Sequence, residues 1–112
     1  MPEVTALASL ADAEAMLAAS QEQPVFVLKH SATCPVSAGA IAQFRALETD
    51  VPRFVVVVQT ARPVSTFLAE TLDVAHATPQ AILVAGGQAV YVESHSAIRA
   101  ATLQAAAAAH RA

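Results

Sequence analysis

Cys34 is the only cysteine in the chain, and it lies in the run Lys29-His30-Ser31-Ala32-Thr33-Cys34-Pro35-Val36-Ser37. The apolar residues 25–28 before it predict a buried strand, and the spacing of residues 38–47 after it predicts a helix. A thiol at that junction faces the unpaired N–H groups and positive dipole end of the helix. Such an environment stabilises the thiolate, which is the nucleophilic form of cysteine. Pro35 suits the first helical position, where a missing N–H costs nothing. A lone cysteine also serves as a small buried hydrophobe, but the polar flanks His30, Ser31, Thr33 and Ser37 are not those of a core segment.

Position 37 sets the reaction class. In a dithiol site a second cysteine three residues on would resolve a mixed disulfide, whereas Ser37 cannot form one. Any mixed disulfide on Cys34 must therefore be resolved by an external thiol. Ser37 either donates a hydrogen bond to the thiolate or serves as an ordinary polar residue of the first turn. His30 either lowers the thiol pKa when protonated or packs at the sheet's edge. Lys29 and Arg62 either supply positive potential to the thiolate or are solvated surface charges.

The composition narrows the classes further. At 112 residues the chain forms a single domain over 1–112, and its 55% hydrophobic content predicts a folded one. A net charge of −3 without any Lys/Arg cluster argues against a nucleic-acid partner. No apolar run approaches the ~20 residues of a membrane helix, and no basic-then-apolar leader opens the chain. One cysteine makes no internal disulfide, so a cytoplasmic location is expected. No paired ligand spacing suggests a metal, and no serine sits in a nucleophile-elbow context. The alanine-rich tail at 105–109 is read as helix former without a role of its own.

The elements that must hold the site alternate in type. Residues 4–7 predict a short edge strand, and Ser9 with Asp12 predicts the cap of a helix that frays near Ser20. Strand 25–29 and helix 35–47 flank the cysteine. Residues 54–58 are apolar on both faces and predict a central strand, followed by a helix over about 64–72. Residues 81–84 and 89–92 predict two strands joined as a hairpin at Gly86-Gly87, and a last helix covers about 97–110. The order β-α-β-α-β-α-β-β-α predicts an α/β fold with a central mixed sheet flanked by helices. With the cysteine after the second strand, this is the layout of a thioredoxin-like fold.

In that fold a cis proline lies against the active cysteine. Pro79 in Thr78-Pro79 is the candidate, since cis bonds are almost confined to X-Pro. A cis bond would leave the Thr78 backbone free to pair with an extended substrate; a trans proline opening an edge strand is the alternative.

The cysteine run closely resembles the signature of the YtxJ-like monothiol bacilliredoxins. The resemblance continues in Arg62-Pro63-Val64-Ser65, in residues 76–83 (His-Ala-Thr-Pro-Gln-Ala-Ile-Leu) and in Ser94-His95-Ser96-Ala97-Ile98. It implies a thiol–disulfide oxidoreductase that removes bacillithiol from bacillithiolated client proteins, with Cys34 as the attacking sulfur. Bacillithiol would be the co-substrate, no cofactor would be tightly bound, and a flavin- and NADPH-dependent reductase would recycle the released bacillithiol disulfide. Thr33, Pro35, Ser37, Thr78, Pro79 and His95 would line the substrate site. Bacillithiol is a cysteinyl glucosamine malate, and the start of the last helix near Ser94, His95 and Ser96 would offer N–H groups to its carboxylates. Three positions depart from the family pattern: Ser96 replaces an expected tryptophan, Ala77 a glutamate and Thr66 an asparagine. Two other readings stay open. One is an iron–sulfur carrier like the monothiol glutaredoxins, although Pro35-Val36 replace their Gly-Phe. The other is a redox-inert thioredoxin-like binding module, whose thiol would ionise near the ordinary ~8.5.

Overall fold

The computed structural model describes residues 4–110; positions 1–3 and 111–112, the ends of the expected domain, lie outside the described residues. The elements are β1 (Val4–Ala6), α1 (Leu10–Ala19), β2 (Val25–His30), α2 (Pro35–Ala46), β3 (Arg53–Val57), α3 (Arg62–Leu72), β4 (Gln80–Ala85), β5 (Gln88–Ser94), a 3-10 turn (His95–Ala97) and α4 (Ala100–Ala109). The five strands stand in the order β1-β3-β2-β4-β5. The β1–β3 and β2–β3 pairs are parallel, while β2–β4 and β4–β5 are antiparallel. The α/β class and the mixed sheet are those expected from the alternation of elements.

Strand alternation sorts the core into two layers. Val25 and Val27 face one side with Met16 of α1 and Leu68 of α3. Phe26 and Leu28 face the other with Phe44 of α2 and Leu103 of α4. There the Phe26 and Phe44 rings meet edge to face, 6.2 Å between centroids. The Gly86-Gly87 turn is the anticipated hairpin, with φ of 59° and 74°. Gly86 N–H donates to the Ser20 carbonyl at 2.7 Å, tying the hairpin to the end of α1.

Three expectations needed correction. The central strand is β2, buried through Lys29, whereas β3 lies one place in from the β1 edge and is only partly covered. β3 also begins earlier, at Arg53, whose charge hid it. Its buried guanidinium Nη1 donates to the carbonyls of Phe44 and Leu47 and so closes the end of α2. The last helix starts at Ala100, not near 97. Ile98 is extended (φ −74°, ψ 103°) and 2% exposed, so its insertion into the α2/α4 core interrupts the chain between the 3-10 turn and α4.

Phe44→Ala should cost about 3–5 kcal/mol of stability, because both the apolar surface and the ring contact with Phe26 are lost. Urea denaturation of both proteins followed by circular dichroism measures this.

Candidate active site

Cys34 is the N-cap of α2, with extended backbone (φ −97°, ψ 124°), and Pro35 takes the first helical position. The Cys34 carbonyl accepts the first helical bond, from Ala38 N–H at 3.0 Å. Its thiol is free and partly exposed. Donors of the first turn hold it below the usual thiol range: the Ser37 backbone N–H contributes most and the Ser37 hydroxyl next. Burial pushes the other way, and the Val36 N–H adds a smaller lowering. The effect is that of a helix N-terminus on an anion. Ser37 is fully buried, and its Oγ completes no hydrogen bond of good geometry. An unsatisfied buried hydroxyl costs about 1–3 kcal/mol. A thiolate beside it supplies the missing acceptor, so the hydroxyl favours the charged form of the sulfur.

The basic side chains expected to tune the thiolate stand elsewhere. Lys29 is 0% exposed, on the α1/α3 side of the sheet, and is neither a surface charge nor a neighbour that acidifies Cys34. Its Nζ donates to the Ser65 carbonyl at 3.0 Å and lies 3.3 Å from His76 Nδ1. Burial lowers its pKa. Arg62 is exposed at the start of α3, and its charge bears on His76. His30 lies not at a sheet edge but at the end of the central strand, facing α2. Burial lowers its pKa, the Ser37 backbone carbonyl partly offsets this, and the Arg45 charge lowers it further. The balance works against the protonated ring that was to supply a cation to the sulfur.

The residues expected on the substrate side converge through the sheet. Lys29 pairs with Gln80 across the β2–β4 ladder, so the turn after β2 and residues 78–79 before β4 emerge at one end. The Thr78–Pro79 bond is cis. The Pro79 carbonyl accepts from His95 N–H at 3.0 Å, which brings the 3-10 turn to the same end. His95 has a φ of 57°, and the three-residue turn is no helix start, so the carboxylate site expected there on helical N–H groups is not formed. A groove of about 360 Å³ opens instead between the N-terminal half of α2 and that turn, lined by Pro35, Val36, Gln43, His95, Ser96 and Arg99 among others. Thr33 is exposed beside the cysteine.

Two contributors escaped the sequence. Gln59 braces the cysteine turn: its Oε1 accepts from Ala32 N–H at 3.2 Å and its Nε2 donates to Ser31 Oγ at 2.6 Å and Thr33 Oγ1 at 3.4 Å. Nothing in its local sequence signals that role, which depends on β3 running parallel to β2. Arg99 brings a cation to the groove, a position concealed by the expected continuous helix over 97–110. Among the described residues, no group of three or more His, Cys, Asp or Glu is placed to hold a metal. No helix among them is long and apolar enough to cross a membrane.

The sequence pattern of the family "monothiol bacilliredoxin BrxC" matches residues 5–103. The chain belongs to that family. A solved structure provisionally described as an oxidoreductase with a thioredoxin fold is 35% identical, with a TM-score of 0.84 and 92% of each chain covered. The thioredoxin of Fasciola hepatica is 19% identical with a TM-score of 0.76, covering 96% of this chain and 100% of its own. That of Malassezia sympodialis is 16% identical with a TM-score of 0.80, covering 100% and 94%. The two thioredoxins share the fold. The family and the oxidoreductase fold support a thiol oxidoreductase, and this bacilliredoxin has one cysteine with which to be one.

The lowered thiol pKa predicts that alkylation of Cys34 by iodoacetamide rises with pH through a midpoint below that of an unperturbed cysteine measured alongside. Ser37→Ala removes one donor to the thiolate, so its midpoint moves to higher pH and its rate at pH 7 falls. Rate-against-pH profiles of the two proteins measure both.

Proposed function

We propose that this bacilliredoxin removes bacillithiol from bacillithiolated proteins by a monothiol route. The observation that carries the reading is the groove of about 360 Å³ beside an acidified lone cysteine. Cys34 thiolate attacks the bacillithiol sulfur of the mixed disulfide. The old S–S bond breaks, and the client cysteine leaves as a thiolate that takes up a proton from water. Cys34 is then disulfide-bonded to bacillithiol. The thiolate of a second bacillithiol attacks that disulfide, and Cys34 leaves as thiolate while bacillithiol disulfide departs. Reduction of that disulfide falls to a separate flavin- and NADPH-dependent reductase.

The groove has groups for each part of the ligand. Arg99 and the His95 ring suit the malate carboxylates. Gln43 Oε1 is occupied by Ala100 N–H at 2.9 Å, which leaves its amide hydrogens as donors for sugar oxygens. The exposed Val36 offers apolar surface to the cysteinyl portion. Thr78 and Pro79, joined to the groove's 3-10 turn by the Pro79 carbonyl, would receive the client chain, and Thr33 borders the cysteine. Clients would meet the protein at this end of the sheet, while the reductase acts on the released disulfide.

Mixing reduced protein with a bacillithiolated model peptide, and in parallel a glutathionylated one, tests the reading by intact-mass spectrometry. The expected result is the bacillithiol mass on Cys34, appearing faster than the glutathione mass. Cys34→Ser forms no adduct, whereas Ser37→Ala still turns over. Full de-bacillithiolation by Cys34→Ser would sink the proposal. Arg99→Gln should slow bacillithiol transfer about two- to fivefold, the size of one exposed charge contact, and leave glutathione transfer less affected.

A further inference from the structure

The buried Lys29 stands at the head of a chain of contacts that ends at the active-site rim. Its Nζ lies 3.3 Å from His76 Nδ1, and Ser65 Oγ lies 3.4 Å from the same nitrogen. The other ring nitrogen, Nε2, lies 3.1 Å from Thr78 Oγ1. Thr78 adjoins Pro79, whose carbonyl holds the 3-10 turn of the groove.

With Lys29 as an ammonium, proton bookkeeping along this chain leaves one arrangement. An ammonium has three donors and no acceptor, so its contact with His76 requires an unprotonated Nδ1. The neutral ring then carries its proton on Nε2, which donates to Thr78 Oγ1. A threonine hydroxyl that accepts there turns its own hydrogen elsewhere. Doubly protonated His76 would set two cations 3.3 Å apart. Burial, the Lys29 charge and the Arg62 charge all lower its pKa. Glu70, which lines the same 300 Å³ cavity as Arg62 and His76, is the carboxylate facing them. Stability does not account for the lysine, because replacing a buried ion by a packed apolar side chain is often neutral or stabilising.

We propose that Lys29 and His76 are positioning residues for Thr78: the buried ammonium fixes His76 as the Nε2–H tautomer, and this commits the Thr78 hydroxyl to donate to an acceptor on the disulfide substrate. The functional half rests on the thiol-exchange reading above; the tautomer half does not.

Two-bond 1H–15N correlation spectra of the labelled reduced protein test the tautomer directly. His76 Nδ1 should resonate as an unprotonated nitrogen and Nε2 as a protonated one. Lys29→Met should mix the tautomers and raise the His76 pKa, since a like charge is gone. A His76 that carries its proton on Nδ1, or that ignores Lys29→Met, overturns the proposal even if exchange is active. In the mass-transfer assay Thr78→Val should slow exchange about three- to tenfold, the loss of one hydrogen bond, and Thr78→Ser should restore it. Lys29→Met added to Thr78→Val should cause no further loss; additive losses would overturn the relay. His76→Phe gives the same double-mutant cycle from an exposed position should Lys29→Met fail to fold. Absence of exchange in the unmodified protein would defeat the functional half and leave the tautomer result standing.

Discussion

The antiparallel register of β2 on β4 is the constraint from which the site follows. Lys29 opposite Gln80 sets residues 78–79 beside the turn that leads into α2. The same register assigns each titratable side chain of β2 to a face, because successive residues point to opposite sides. Lys29 falls with Ser65 and His76. His30 falls beneath α2, where the Ser37 carbonyl and Arg45 act on it. A slip of one residue would exchange them and turn the whole apolar set of the strand inside out. The two core layers, filled by Val25 and Val27 on one side and Phe26 and Leu28 on the other, forbid that slip.

With the cations diverted from the sulfur, the acidity of Cys34 comes from fixed dipoles. The Ser37 and Val36 donors are parts of a helix that the core holds in place through Ala40 and Phe44. Such donors are less subject to salt screening than exposed charges would be. They do not titrate either, whereas a histidine would withdraw its help as pH rises through its pKa. The fold thus makes the nucleophile with main chain and one buried hydroxyl, and sets His76 in a separate chain of polar contacts with Lys29 and Thr78.

Much of this was legible in the sequence because it is local. The helix start at Cys34-Pro35, the hairpin at Gly86-Gly87 and the alternation of elements each depend on residues close in the chain. What escaped depends on register or on distant packing. Lys29 reads as a surface charge because lysine seldom lies fully buried, and only the pairing with β4 and the packing of α3 reveal its partners. Arg53 concealed the start of a strand because its task, closing the end of α2, is tertiary. The break at Ile98 looked helical, since the alanine-rich sequence that follows favours helix and nothing local reports that this isoleucine must reach the core. Gln59 and Arg99 became visible as site residues only once the neighbouring elements were in place.

The buried serine at position 37 also explains how a single thiol can serve both halves of an exchange cycle. In the first half Cys34 must attack, and a lowered pKa enlarges the thiolate fraction at neutral pH while it reduces the intrinsic nucleophilicity of that thiolate. In the second half Cys34 must leave, and there a lower pKa is an unmixed advantage. A cysteine at 37 would resolve the disulfide internally and hand the oxidation to a second sulfur. A hydroxyl cannot be oxidised in that way, yet it donates to the thiolate that attacks and to the thiolate that departs. Because resolution must come from outside, the sulfur has to remain reachable after the first step. The partly exposed Cys34, with Pro35 and Val36 exposed beside it, meets that requirement. Acidity is supplied from the buried side of the helix turn, and access is kept on the other.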